Sequence, residues 1–300
     1  MLKWIKDWML PLSILVGGMG YRWFWPLGSI LPYLIFAMLL LAFCRLSPGA
    51  IRFRVGHGWL LLVQIGGGAA IYFLLIPIDK VIAEGAMISV LAPTAATSAV
   101  VTSLLGGDMG FLTGYMLVSY IAMAIVAPPL FSLAATTGGA PFAATFFYVC
   151  RHVMTVVIFP LLLAWGLRRF IPKVHRRLES LHGAAFYIWA LSLVIVTAQT
   201  LHLLTGEAQP DHRTMVLLAT VSLFFCIGQF LLGRYIGRLS GDPVSGGQGL
   251  GQKNTILAIW MAQTYLTPIS FVAPAAYVLW QTIVNAVQLH RHSGKKRGDG

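Results

Sequence analysis

The chain has 300 residues, of which 58% are hydrophobic and 10% charged, and its mean hydropathy is +0.79. This composition excludes an ordinary soluble globule and points to a polytopic membrane protein, because the apolar runs between charges are long enough to cross a hydrocarbon core of about 30 Å. The net charge of +12 sits in short clusters between those runs, where lipid headgroups and the positive-inside bias account for it and nucleic acid does not.

The chain opens on MLKWIKDW, a basic amphipathic stretch without a small-residue cleavage site, which reads as an interfacial start to the first span. Apolar runs bounded by charge, Gly or Pro then predict ten spans, at residues 9–25, 29–45, 58–77, 82–105, 109–134, 145–167, 184–204, 214–233, 241–265 and 269–289. Trp4, Trp8, Trp23 and Trp25 read as an aromatic belt at the start. Cys44, Cys150 and Cys226 are scattered and lack CxxC spacing, so they predict neither a disulfide framework nor a zinc site. The histidines show no HExxH pattern, and no metal site is expected.

Ten crossings put both termini on one side of the membrane, and the basic residues test that topology. One face receives Lys3, Lys6, Arg45, Arg52, Arg54, Arg168, Arg169, Lys173, Arg176, Arg177, Arg234, Arg238, Arg291, Lys295, Lys296 and Arg297; the other receives Arg22, Lys80 and Arg213. The excess assigns the first face, with both termini, to the cytoplasm. Arg151 and Lys253 remain inside or at the edge of spans; Arg151 reads as an interfacial anchor.

Five spans on each side of the 136–140 stretch predict two repeats of opposite topology, 1–134 and 135–290, followed by a basic cytoplasmic tail at 291–300. The fourth span of each half is interrupted. Span four carries Ala92-Pro93-Thr94 at its centre, and span nine carries the glycine-rich run from Ser245 to Asn254. Pro removes a backbone donor and Gly weakens a helix, so both spans are expected to unwind at membrane depth, where irregular backbone is tolerated only inside protein or along a wet cavity. Paired broken helices are the sequence pointer to a substrate site in secondary transporters. Glu84 reads as a cap or partner of Lys80, and Asp242 before Pro243 as the N-cap of span nine.

These segments resemble the bile acid:sodium symporter superfamily. Pro93-Thr94-Ala95-Ala96-Thr97-Ser98-Ala99-Val100-Val101-Thr102, closing on Gly107-Asp108, is similar to the fourth-helix pattern of that family, and Gly251-Gln252-Lys253-Asn254-Thr255-Ile256-Leu257-Ala258 is similar to its ninth-helix G-M-Q-N-S-G-L-A. Phe159-Pro160 with Gly166-Leu167-Arg168-Arg169 resembles its sixth span. The resemblance implies a panel domain of spans 1, 2, 6 and 7 and a core domain of spans 3–5 and 8–10, with spans 4 and 9 crossing at their unwound centres. It also implies alternating-access transport of an organic anion.

Departures from the family pattern fall on its cation sites. For the first sodium site the Ser is Ser98, but the Asn position is Ala99, the fifth-helix hydroxyl positions are Leu112 and Met116, and the Glu position is Gly249. A hard cation needs several oxygen ligands, so this site is expected to be absent. For the second site Gln64 matches the third-helix Gln, while Lys253 replaces the ninth-helix Gln. A register shifted by one would instead place Gln248 and Gln252 at the Glu and Gln positions. Lys253 as a fixed ammonium, at a cost of roughly 3 kcal/mol at helix centre, is expected to act as a counter-ion to the anion or as a proton-coupling group; the bland alternative is a lysine snorkelling from an interfacial loop. Thr94, Thr97, Ser98, Asn254 and Thr255 form the expected substrate ring, with helix capping as the plainer role for each.

The expectation is therefore a sodium-independent organic-anion carrier of a bacterial inner membrane, needing no cofactor. A conventional sodium symporter is the alternative, and an enzyme or channel is disfavoured by the absence of a catalytic cluster or charged pore ring. Metalloid efflux lacks a cysteine in the fourth-span motif.

Overall fold

The computed structural model describes residues 8–46, 53–136, 141–205 and 211–298. Among these residues the regular structure is helical, apart from an isolated backbone bridge between Thr94 and Lys253. Seven of the described helices are long and apolar enough to cross a membrane: Tyr21–Cys44 (α2), Val55–Leu75 (α3), Met109–Ala135 (within α6, which runs to Thr136), Phe142–Phe170 (α7), Gly183–Leu203 (within α9, His182–Thr205), His212–Leu239 (α10) and Pro268–His292, whose α-helical part is α13 (Val272–Gly298). Shorter helices complete the set: α1 (Met9–Met19), α4 (Lys80–Leu91), α5 (Ser98–Leu104), α8 (Pro172–Ser180), α11 (Pro243–Gly251) and α12 (Thr255–Tyr265).

Several boundaries depart from the sequence expectation. The first span ends at Met19, and α2 begins at Tyr21 through a 3₁₀ stretch, Trp25–Ile30, with Pro26 at its start. Proline fixes φ and removes a donor, which suits the opening of a helical segment. Residues 291–298, expected as a tail, continue α13. The half boundary at 137–140 lies outside the described residues, as do Lys3, Trp4, Lys6 and Arg52.

The chain divides into two compact units, one of residues 1–46 and 151–211, the other of residues 47–150 and 212–300. In the first, α9 packs on α1 and α2. The approach is close at Gly17, where a Cβ would stand 2.5 Å from the Val194 carbonyl oxygen. Small residues let membrane helices approach in this way.

The second unit holds both broken helices. Asp79 caps α4 by accepting from the Ile82 amide at 2.9 Å. The helix ends at Leu91 because Pro93 follows: the residue before proline is pushed out of the helical region, and Ala92 accordingly has ψ of 139°. Asp242 caps α11 by accepting from the amides of Val244 and Ser245 at 3.0 and 3.1 Å, and its other oxygen accepts from the Asp108 amide at 2.6 Å. Asp108, in the turn before α6, pairs with Arg54 at 2.8 Å, and the Phe111 amide beside it holds its carboxyl below the usual carboxylate range.

The glycine run of span nine does not unwind as expected. Residues 243–251 are helical, and the break is confined to Gln252–Asn254. Glycine here serves close packing: a Cβ on Gly246 would stand 2.4 Å from the Gly233 carbonyl oxygen, and one on Gly251 would meet the Phe230 ring. The packing of α10 against α11 supplies what the intrinsic helix propensity of glycine lacks.

Candidate functional site

The two breaks meet as a short antiparallel ladder. Ala95 N donates to Gln252 O at 2.9 Å and Asn254 N donates to Pro93 O at 2.8 Å, which sets Thr94 and Lys253 opposite each other. This is the non-hydrogen-bonded type of antiparallel pair, and side chains elsewhere supply partners for the remaining amides. Thr94 N donates to Ser119 Oγ at 3.1 Å, and Lys253 N donates to Gln281 Oε1 at 2.9 Å. Every backbone donor of the two bridge residues is thus matched inside protein.

Lys253 is 1% exposed, and its Nζ donates to the Val90 carbonyl at 2.8 Å. That carbonyl is one of the last in α4, where the helix leaves acceptors without intrahelical donors and carries partial negative charge. Its neighbours are matched in the same manner: Ala92 N donates to Ile88 O, Gln229 Nε2 reaches Ser89 O at 3.4 Å, and Gln64 Nε2 donates to Leu91 O at 2.9 Å and Ala92 O at 3.3 Å. The Lys253 side chain is thus closed off from the surface, with its Nζ on the C-terminal end of α4.

The other break is served by hydroxyls. Thr94 Oγ1 donates to Gly249 O at 2.7 Å, and Tyr277 OH donates to Gly251 O at 2.8 Å. A cross-related pattern runs through the supporting helices. Tyr115 OH donates to Gln64 Oε1 at 2.6 Å, four residues before Ser119 on α6; Tyr277 OH accepts from Gln229 Nε2 at 3.1 Å, four residues before Gln281 on α13.

The remaining expected site residues divide. Gln252 Nε2 donates to Thr97 Oγ1 at 2.9 Å, joining the two breaks a second time, and Thr97 is exposed. Asn254 Nδ2 donates to Tyr120 OH at 2.7 Å while its Oδ1 caps α12 at the Leu257 amide. Ser98 Oγ turns back onto Ala95 O at 2.6 Å, a local role, and Thr255 is buried as the first residue of α12. Gln248 faces α13, where its Nε2 donates to Asn285 Oδ1 at 2.9 Å and Gln288 Oε1 at 3.2 Å. Among the described residues no group of three or more His, Cys, Asp and Glu side chains is placed to hold a metal ion.

Sequence reasoning missed Ser119, Tyr120, Gln229, Tyr277 and Gln281. The available signal was the Tyr at four residues before a polar residue, repeated in the fifth and tenth spans.

The sodium bile acid symporter family model matches residues 29–208, more than half of the chain. The chain belongs to the sodium bile acid symporter family. It is accordingly an integral membrane protein of a transporter family. The matched segment includes Gln64, Thr94, Thr97 and Ser98 and stops short of Lys253 and Asn254. No curated relative matches the chain.

Proposed function

We propose that this member of the sodium bile acid symporter family carries a small organic anion by alternating access without sodium, the Lys253 ammonium standing in place of the coupling ion. The observation that carries the reading is the contact of Lys253 Nζ with Val90 O at 2.8 Å, deep in the second unit. Carbonyl oxygens at a helix end are what a sodium ion would use as ligands, and an ammonium offers the same charge at the same place. Thr94, Thr97, Ser98, Asn254 and Thr255, at or beside the restarts of α5 and α12, are the proposed substrate-binding positions. Anions are stabilised by the amides and dipole of a helix N-terminus.

The reading includes ten crossings: the seven long helices, α1, and the two broken pairs α4–α5 and α11–α12. It takes the halves as inverted repeats, supported by the matching Gln64–Tyr115–Ser119 and Gln229–Tyr277–Gln281 sets. Residues 47–150 with 212–300 are assigned as the core and residues 1–46 with 151–211 as the panel, in a bacterial inner membrane with cytoplasmic termini.

The deciding experiment is uptake or ligand binding by purified protein in liposomes across sodium concentration and pH, for wild type, Lys253→Gln and Lys253→Ala. The expected result is sodium-indifferent wild type, with Lys253→Gln inactive or dependent on added cation. Sodium-dependent wild type with both variants active would sink the reading. A second reading, sodium coupling through Gln248 and Gln252, draws on one observation: both carboxamide oxygens are buried without a hydrogen-bond partner among the described residues. Sodium-dependent uptake lost in Gln252→Ala would select it.

A further inference from the structure

We propose that α8 and the adjoining end of α7 form a docking site for anionic phospholipid headgroups. α8 joins two membrane-spanning helices, one ending at Phe170 and the next crossing from Gly183, so both of its ends lie on the same side of the bilayer. Nine residues of helix extend roughly 14 Å, too short to cross, and α8 therefore lies along the interface.

Its faces are sorted accordingly. At 100° per residue, His175 and Leu178 share one face, and they are buried and half-buried. Val174 and Leu181 lie on a flank of that face and are 42% and 54% exposed; Phe170 and Ile171, just before the helix, are 80% and 50% exposed. Lys173, Arg176 and Arg177 occupy the opposite arc, all exposed, with Arg169 exposed at the end of α7. The nearby acid, Glu179, stands 3.9 Å from His175 Nδ1 and borders the arc only at Arg176, three residues before it, while Lys173 and Arg177 lie farther around the helix.

A positive-inside bias alone requires only that basic residues lie on one side. Here they are held on one arc of a packed helix, next to apolar side chains that no part of this unit covers. Acyl chains suit the apolar flank, and the basic arc beside it lies at headgroup depth, the arrangement by which amphipathic interfacial helices select anionic lipid. Nucleic acid or an acidic protein segment would leave Val174, Leu181 and Phe170 without a partner.

The test uses the full chain in vesicles of phosphatidylcholine with about a quarter phosphatidylglycerol, comparing spin-labelled versions of the two lipids for restriction by the protein. Wild type is expected to favour phosphatidylglycerol, and the preference should fall as salt is raised. Lys173→Gln/Arg176→Gln/Arg177→Gln should lower it at least about fivefold. The charge-preserving Lys173→Arg/Arg176→Lys/Arg177→Lys and Arg238→Gln, on α10 of the other unit, should retain it. No preference in wild type, a preference that survives the triple neutralisation, or an equal loss in Arg238→Gln would each overturn the proposal.

Discussion

At the scale of single residues, the crossing is held by side chains that each satisfy a named backbone group, so their removal leaves a buried orphan. Thr94→Val keeps the volume and deletes the donor to Gly249 O, which should destabilise the protein by about 1–3 kcal/mol. Thr94→Ser keeps the hydroxyl and should stay close to wild type. Thermal unfolding in detergent separates them; equal melting temperatures for the two variants would remove that hydrogen bond from the account. Lys253 and Thr94 were legible as residues of the crossing because a lysine in an apolar run and a threonine after a mid-run proline each break a local pattern. Ser119, Tyr120 and Gln281 were not. An isolated polar residue in a long helix states its depth but not the direction it faces, and direction is settled only when the neighbouring helices are in place.

At the scale of elements, the same glycine-rich sequence supports two opposite readings, a break or a close-packed helix. Pro93 is unambiguous, since its steric effect on Ala92 is local. The run from Gly246 to Gly251 is not, because low helix propensity is overridden when another helix presses on the bare backbone. α10 provides a matched pair for this argument. Gly233→Ala would set a Cβ 2.5 Å from Gly246 O, a contact with backbone that cannot turn aside, and should cost about 1–3 kcal/mol. Gly228, on the same helix, has open space around its Cβ position, and Gly228→Ala should be neutral or stabilising by up to about 1 kcal/mol. Expression level and thermal stability of the two variants measure the difference, and similar losses in both would mean that helix packing at Gly233 is not what holds α11 straight. Span length was read to within three residues at α3, fell six residues short at α10, which runs on past Arg234 to Leu239, and was misread at α1 and α2, where only Gly20 and a 3₁₀ stretch intervene.

At the scale of the whole molecule, the proposed ten-crossing topology predicts which loops share a side. In a background lacking Cys44, Cys150 and Cys226, cysteines at Ile78 and Lys173 should react with a membrane-impermeant maleimide from opposite faces. Labelling of both from one face would require a different number of crossings. The ladder at Thr94 and Lys253 also has a consequence for biogenesis. Pro93 O and Ala95 N belong to the first half of the chain, while their partners, Asn254 N and Gln252 O, are made after more than 150 further residues. If α4 and α5 form a span as proposed, it waits in the bilayer during synthesis with these backbone groups unpaired, at a cost of several kcal/mol for each one facing lipid. On that topology the amino-terminal half depends on the last part of the chain, and expressed alone it should be degraded faster than when co-expressed with residues 212–300.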